Sequence, residues 1–122
     1  MAAARTTRFY FMLPVEDMDR AVEFYVAALG TEVRHTSPEL SELHLGDVTL
    51  CLKAAAASPR AATRRATGLM VEALDLPATC AAIIAAGGEL VSLPGEGRGP
   101  VEAADSEGNL FTVVAVDDRT PV

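Results

Sequence analysis

The sequence predicts an α+β fold built from two βαβββ modules in a single domain. Three observations support this prediction. The stretch 14–30 combines a strand exit, an amphipathic helix and a helix stop, and alternating strand patterns follow it. A second helix with its own glycine stop recurs 57 residues later, at Gly87 instead of Gly30, which indicates an internal repeat. A chain of 122 residues is long enough to bury its own core.

The first helix is the most clearly marked element. Asp17 stands at the N-cap position, where a carboxylate accepts hydrogen bonds from free backbone N–H groups. Gly30 can adopt the left-handed conformation that ends a helix. Between them, five apolar residues recur at three- and four-residue spacing and define one buried face: Ala21, Phe24, Tyr25, Ala28 and Leu29.

Four strands complete the first module, which we assign to residues 8–53. Pro14 marks the exit of the strand that precedes the helix, since proline cannot donate to a central ladder. Gly46 and Asp47 form a two-residue turn compatible with type II′, which pairs Leu45 with Val48. The predicted strands are 9–15, 31–37, 40–45 and 48–53.

Residues 54–66 are predicted to be a linker. They carry no amphipathic stripe, contain Pro59 and hold three arginines. The high helix propensity of alanine leaves a short helix as the alternative.

The second module, residues 67–116, repeats the first. Asp75 is the predicted N-cap of its helix, and Gly87 and Gly88 stop it. The helical stripe comprises Leu76, Cys80, Ile83 and Ile84. The predicted strands are 68–73, 90–93, 100–104 and 110–116, with a glycine-rich loop at 94–99 and a turn at 105–109.

The amino-acid composition restricts the classes of molecule that the protein is expected to bind. Seventeen acidic and ten basic residues give a net charge of −7, which argues against nucleic acid and attracts a cationic ligand. No apolar run has the length of a membrane span, and the first residues lack a secretory signal, so we expect no membrane partner and a cytoplasmic protein. Two cysteines without metal-type spacing indicate reduced thiols.

Five pieces in this order resemble the vicinal oxygen chelate superfamily, which includes glyoxalase I, extradiol dioxygenases and bleomycin-resistance proteins. They are PVED at the end of the first strand, FY and LG in the first helix, AAGG at the second helix stop, and DSEGNLF near the end. The resemblance covers about residues 8–116. It implies a curved mixed sheet that encloses a cup-shaped pocket, completed in a homodimer.

The resemblance also implies four metal-ligand positions, which fall here on Tyr10, Cys51, Gly68 and Thr112. None carries the histidine or glutamate of the family pattern, and glycine has no side chain to bind with. We therefore expect no metal and no other cofactor. A rearranged set of His44, Glu42 and Cys51 is the alternative.

Period-two alternation from these positions predicts the residues that line the cup. They are Tyr10, Met12, Glu42, His44, Cys51, Met70, Glu72 and Thr112. Aromatic, methionine and small residues with a few polar groups are typical of a small-molecule pocket. His44 beside Glu42 is a candidate general base and Tyr10 a candidate donor, although both also suit a solvated strand. Cys51 is more typical of a buried hydrophobic residue than of a nucleophile.

The predicted function is metal-independent binding of a small apolar, aromatic or cationic molecule, antibiotics included, by a homodimer of the bleomycin-resistance type. The alternative is a cofactor-free isomerase, cyclase or lyase of secondary metabolism that uses Tyr10, Glu42 or His44 as acid or base. The sequence leaves open whether the protein is an enzyme.

Overall fold

The computed structural model describes residues 5–6, 8–55, 64–92 and 100–116. Within them the chain forms two βαβββ modules, as predicted. The elements, in order, are β1 (Tyr10–Val15), α1 (Met18–Leu29), β2 (Glu32–Thr36), β3 (Leu40–Leu45), β4 (Val48–Ala54), β5 (Arg65–Ala73), α2 (Leu76–Ala85), β6 (Glu89–Leu90), β7 (Val101–Ala104) and β8 (Asn109–Ala115). Neither helix among these residues combines the length and apolarity needed to cross a membrane.

Each module contributes its own four-stranded sheet. The first sheet has the order β1-β4-β3-β2 and the second the order β5-β8-β7-β6. In both sheets the first strand pairs in parallel with the last, and the other pairs are antiparallel. The matching topologies confirm the repeat. The resemblance implies one curved sheet, whereas the described strands form two sheets, with β1 and β5 at their edges.

The helices fix which face of each sheet is buried. Helix α1 packs on the first sheet, α2 packs on the second, and the two helices contact each other. The Phe24 ring of α1 meets the Phe111 ring of β8 edge to face, with centroids 6.3 Å apart. Strand residues on the helix side, such as Leu13, Leu52 and Val113, are fully buried. The opposite face of each sheet, which we call its outer face, is left without a helix.

The ends of α1 form as the sequence predicts. The Asp17 side chain accepts a hydrogen bond from the Arg20 backbone N–H at 3.1 Å. Gly30 ends the helix with φ of 73° and donates its N–H to the last-turn carbonyls. The predicted stripe is buried, except that Leu29 is only half-buried.

Strand β5 begins at Arg65, three residues before the predicted start at Gly68. The backbone N–H of Arg65 donates to the Gly108 carbonyl at 2.9 Å, and its Nε donates to Asn109 Oδ1 at 2.9 Å. This pairing joins residues that are distant in the sequence, so no local sequence pattern predicts it. Part of the predicted linker, residues 56–63, lies outside the described residues.

Helix α2 differs from its prediction on one side. Leu76, Cys80 and Ile83 are buried, but Ile84 is exposed. The residues of α2 are apolar all round, so the sequence stripe alone did not define which side meets the core. Strand β6 covers only Glu89–Leu90 instead of 90–93. The predicted loop at 94–99 lies outside the described residues.

A buried hydrogen-bond network joins the two modules. The Tyr25 hydroxyl of α1 donates to Asp105 Oδ2, and Asp105 Oδ1 accepts from the backbone N–H groups of Glu107 and Asn109 at 2.7 and 2.9 Å. The Asn109 side-chain amide donates to the Pro14 carbonyl at 3.1 Å. Residues of α1, the end of β1 and the 105–109 turn therefore meet at one carboxylate.

Glu107 makes a second link between the modules. Its Oε1 accepts from the Glu16 backbone N–H at 2.8 Å, and its Oε2 accepts from the Asp17 N–H at 2.9 Å. These N–H groups lie at the start of α1, where the helix leaves donors without partners and where negative charge is favourable. A carboxylate of the second module thus accepts hydrogen bonds from the backbone N–H groups at the N-terminus of the first helix.

We expect Glu107→Gln to lower the free energy of unfolding by about 1–2 kcal/mol, because an amide keeps one acceptor oxygen and loses the charge. Urea denaturation followed by circular dichroism measures the change. Glu23→Gln, on the exposed side of α1, is the matched control and should change stability by less than about 0.5 kcal/mol. Equal effects of the two substitutions would contradict the link.

Tyr25 should make the protein sensitive to alkali. Burial, the negative charges of Asp105 and Glu107 and the hydrogen bond to Asp105 raise the pKa of Tyr25 well above its usual 10.0. Above pH 10 the unfolded chain loses this proton while the folded chain keeps it, so stability falls as the pH rises.

Tyr25→Phe should therefore be less stable than the unmodified chain at pH 7, by about 1–3 kcal/mol. Above pH 10 this difference should shrink by about 1.4 kcal/mol per pH unit. Denaturation curves across that pH range test it. All other ionisable groups are the same in both proteins, so their contributions cancel. If the stability difference between the two proteins stayed constant with pH, deprotonation of Tyr25 would not be the cause of the loss of stability in alkali.

Candidate functional site

Five predicted site residues lie together on the outer face of the first sheet. Tyr10 of β1 pairs with Thr49, which pairs with His44. In the adjacent row, Met12 pairs with Cys51, and Cys51 pairs with Glu42. The two rows follow from the parallel β1–β4 pair and from the Gly46 turn, whose φ of 61° fixes the predicted hairpin register.

Three predicted residues lie on the outer face of the second sheet. Met70 of β5 pairs with Thr112 of β8, and Thr112 pairs with Glu102 of β7. Glu72 occupies the next row, beside Val114. The predicted residues thus form two groups on two sheets, and in the described part of the chain no hydrogen bond connects the groups.

Both outer faces expose large apolar side chains. Tyr10 is 44% exposed, Met12 51% and Met70 61%. These residues lie on strands rather than on loops, next to polar neighbours. Contiguous apolar surface with a polar rim is typical of a binding surface.

Tyr10 has a partner that the sequence reading missed. Its hydroxyl oxygen accepts hydrogen bonds from Arg8 Nη2 at 2.6 Å and Nε at 3.2 Å. Because Arg8 only donates, the phenol keeps its own proton available to a ligand. Arg8 lies two residues before Tyr10, and side chains two residues apart in an extended chain lie on the same face. This spacing could have identified Arg8 from the sequence.

His44 does not pair with Glu42 as the general-base hypothesis requires. Its Nε2 lies 3.2 Å from Thr49 Oγ1, and Arg34 Nη1 lies 3.3 Å from its Nδ1. No hydrogen bond joins His44 to Glu42 in the described chain. Arg34 Nη1 also lies 3.4 Å from Nε2, so the guanidinium faces both ring nitrogens of His44. Arg34 and Thr49, rather than a carboxylate, therefore orient the imidazole.

Arg34 was missed because the sequence did not specify the partner of β2. The structure pairs Glu32 of β2 with His44 of β3, and Arg34 follows Glu32 at the two-residue spacing of one strand face. The pairing shifts between Val33 and His35, so the strand carries a bulge there.

Cys51 behaves as a small buried residue. It is 1% exposed, and burial together with the Glu42 charge raises the pKa of its thiol, while Arg8 opposes that shift. A thiol that stays protonated is a poor nucleophile and a poor metal ligand. The structure therefore favours the packing interpretation of Cys51.

The residues at the four family ligand positions do not fit a divalent metal. Gly68 has φ of 81° and no side chain, the Tyr10 oxygen is bonded to Arg8, and Cys51 is a buried thiol. Thr112 offers only a neutral hydroxyl. Among the described residues, no three His, Cys, Asp or Glu side chains are placed to hold a metal, so the alternative set of His44, Glu42 and Cys51 is not assembled.

The two outer faces differ in charge. Arg8 and Arg34 lie at the first outer face, where they contact Tyr10 and His44. The second outer face presents Glu72 and Glu102, both exposed. Within the described chain, neither of these two carboxylates forms an ion pair. The first outer face also carries Glu42 and, opposite His44, Glu32, which balance its two arginines. A cation is therefore attracted to the second face.

Comparison with known proteins agrees with the fold. A family profile described as "Glyoxalase-like domain" matches residues 10–114, which is most of the chain. No curated protein sequence matches this one.

Solved structures share the architecture at low identity. FosX from Listeria monocytogenes, described as a genomically encoded fosfomycin resistance protein, aligns with TM-score 0.73 and 14% identity over 95% of each chain. A glyoxalase/bleomycin resistance protein/dioxygenase family enzyme from Burkholderia phytofirmans gives TM-score 0.68 and 17% identity over 88% of this chain and 97% of that one. A gene product from Arabidopsis thaliana gives TM-score 0.71 and 23% identity over 90% and 99%. Structural similarity at such low sequence identity establishes a shared fold.

We expect Cys51 to resist alkylation. In a Cys80→Ala background, iodoacetamide at neutral pH should leave the folded protein unmodified, because the thiol is buried and protonated. Mass spectrometry before and after unfolding in urea measures this, and the unfolded chain, in which Cys51 reacts, is the control. Rapid labelling of the folded protein would show that Cys51 is an accessible thiolate.

Proposed function

The chain belongs to the glyoxalase-like family of the vicinal oxygen chelate superfamily, and from this membership we propose that it binds a small organic molecule without a resident metal. The observation that carries the proposal is the exposure of Tyr10, Met12 and Met70 on the outer sheet faces. Side chains of this type give adaptable apolar contacts, and the neighbouring polar groups orient a ligand.

The binding protein in this proposal is a homodimer. Strands β1 and β5 are sheet edges, and an unpaired edge offers backbone groups to another chain. A second copy that covers these edges encloses the outer faces and turns them into a cup. The exposed methionines and Tyr10 then lie inside the assembly instead of in water.

The ligand in this proposal has an aromatic or apolar body and a cationic group. Glu72 and Glu102 form an acidic wall on the second outer face, which supports attraction of the cation. Tyr10 and Met12 supply the opposite, apolar wall. The fosfomycin and bleomycin resistance names of the similar structures support an antibiotic as the ligand class and sequestration as the role. The free thiols of Cys51 and Cys80 are in keeping with a cytoplasmic location.

A second candidate function is a cofactor-free isomerase, cyclase or lyase. The exposed Tyr10 hydroxyl, held by Arg8, favours it because a positioned phenol can donate a proton to a substrate. His44 and Glu42 would take the remaining acid or base roles. The contacts of His44 with Thr49 and Arg34 make the binding function the better supported of the two.

A ligand screen tests the binding proposal. We expect basic aromatic and glycopeptide antibiotics to include compounds that raise the free energy of unfolding, by about 2.7 kcal/mol at a concentration of about 100 times Kd. In the double variant Glu72→Gln and Glu102→Gln, the affinity for a cationic hit should fall about tenfold at low salt. Thermal shift and calorimetry measure both effects.

Glu39→Gln, an exposed carboxylate before β3, is the matched control and should bind like the unmodified protein. Mass spectrometry of the recovered compound distinguishes the two functions. An unchanged mass supports sequestration. A converted compound, with turnover that Tyr10→Phe abolishes, supports the enzyme. If no compound in the panel stabilises the protein, antibiotic sequestration is wrong.

A further inference from the structure

A cleft of about 480 Å³ lies where the two modules meet. The end of the β3–β4 hairpin forms one wall with Leu45, Val48 and Leu50, and β5 forms the other with Leu69 and Val71. The volume falls within the range of small-molecule sites, roughly 300–1,000 Å³. Met70 and Glu72 of the second outer face also line it, so the cleft adjoins that face and is separate from the first outer face.

A buried hydroxyl in the cleft wall has no partner. Thr31 connects α1 to β2, is 6% exposed, and its Oγ1 makes no hydrogen bond in the described chain. Such a group has lost water without gaining a replacement, which is unfavourable until something else bonds to it. Thr31 lines the cleft, and rotation about its Cα–Cβ bond to another staggered position would turn the hydroxyl toward a molecule bound there.

The charges around the cleft exclude an anionic occupant. Glu72 is the one charged side chain among the described residues that line it, and no lysine, arginine or histidine is among them. A carboxylate or phosphate would meet this negative charge with no compensating cation. The apolar walls also disfavour burial of any charged group, because desolvation of a charge is costly.

We infer that the inter-module cleft is a ligand site for an uncharged, mainly apolar small molecule that carries one hydroxyl or carbonyl group, with Thr31 as its hydrogen-bond partner. The inference goes beyond the proposed function. Met70 and Glu72 border both the cleft and the second outer face, so the tests use Thr31 and Val48, which are not among the residues of the proposed outer-face site.

Titration of the isotope-labelled full chain, followed by NMR, tests the site. The probes are phenylbutanol with its hydroxyl at the chain end, phenylbutanoate as the anionic counterpart, and butylbenzene as the hydrocarbon counterpart. We expect phenylbutanol to shift the backbone amide signals of Thr31, Val48 and Leu69. Phenylbutanoate should bind about tenfold more weakly, because its charge is not matched.

Two variants separate the contacts. Thr31→Val keeps the shape and removes the hydroxyl, so phenylbutanol should bind about threefold to tenfold more weakly while butylbenzene is unaffected. Val48→Trp should fill the cleft and weaken both probes about tenfold; Val48 is 52% exposed, so the larger ring is accommodated at the rim. Ile84→Ala, on the exposed side of α2 and outside the cleft lining, is the control and should change neither affinity.

Three results would overturn the inference. The first is that phenylbutanol shifts no signal of Thr31, Val48 or Leu69. The second is that Thr31→Val weakens binding of phenylbutanol and butylbenzene alike, which shows that Thr31 makes no hydrogen bond to the ligand. The third is that sedimentation shows Val48→Trp converting a dimer to a monomer while phenylbutanol does not bind, in which case a second copy occupies the cleft.

Discussion

A single buried carboxylate holds the two modules in place. Asp105 accepts hydrogen bonds from the Tyr25 hydroxyl and from two backbone N–H groups of its own turn. Asn109 extends the network to the Pro14 carbonyl and to Arg65. A carboxylate is stable in a protein interior only when hydrogen bonds replace its water, so the turn, α1 and the end of β1 must be present together. The rest of the architecture depends on this requirement.

This arrangement decides which surfaces remain for function. The helices and the Phe24–Phe111 contact occupy the inner faces of both sheets. The outer faces and the inter-module cleft are left. The same frame supports metal chemistry where the family positions carry histidine and glutamate, but a thiol, a glycine and two neutral hydroxyls stand there in this chain. Activity belongs to the residues of a site and does not follow from the fold alone.

Local chemistry made much of the fold and part of the site predictable. The Asp17 cap, the Gly30 stop and the Gly46 turn each depend on a few neighbouring residues, and all three form as expected. Because the turn fixes the register, the grouping of His44, Glu42 and Cys51 on one face was also predictable. Their partners were not. Arg34 contacts His44 because β2 pairs with β3, and Arg65 extends β5 by pairing with a distant turn.

The sequence by itself determined the two modules, the boundaries of α1, the hairpin register and the absence of the family ligands from their positions, because each depends on residue type or on neighbours along the chain. Tertiary structure alone decided that the predicted site residues divide between two outer faces. It also decided that His44 bonds to Thr49 and Arg34, and that an apolar cleft with an unpaired Thr31 hydroxyl lies between the modules. These features depend on how distant surfaces pack, and the spacing of residues along the chain carries no record of that packing.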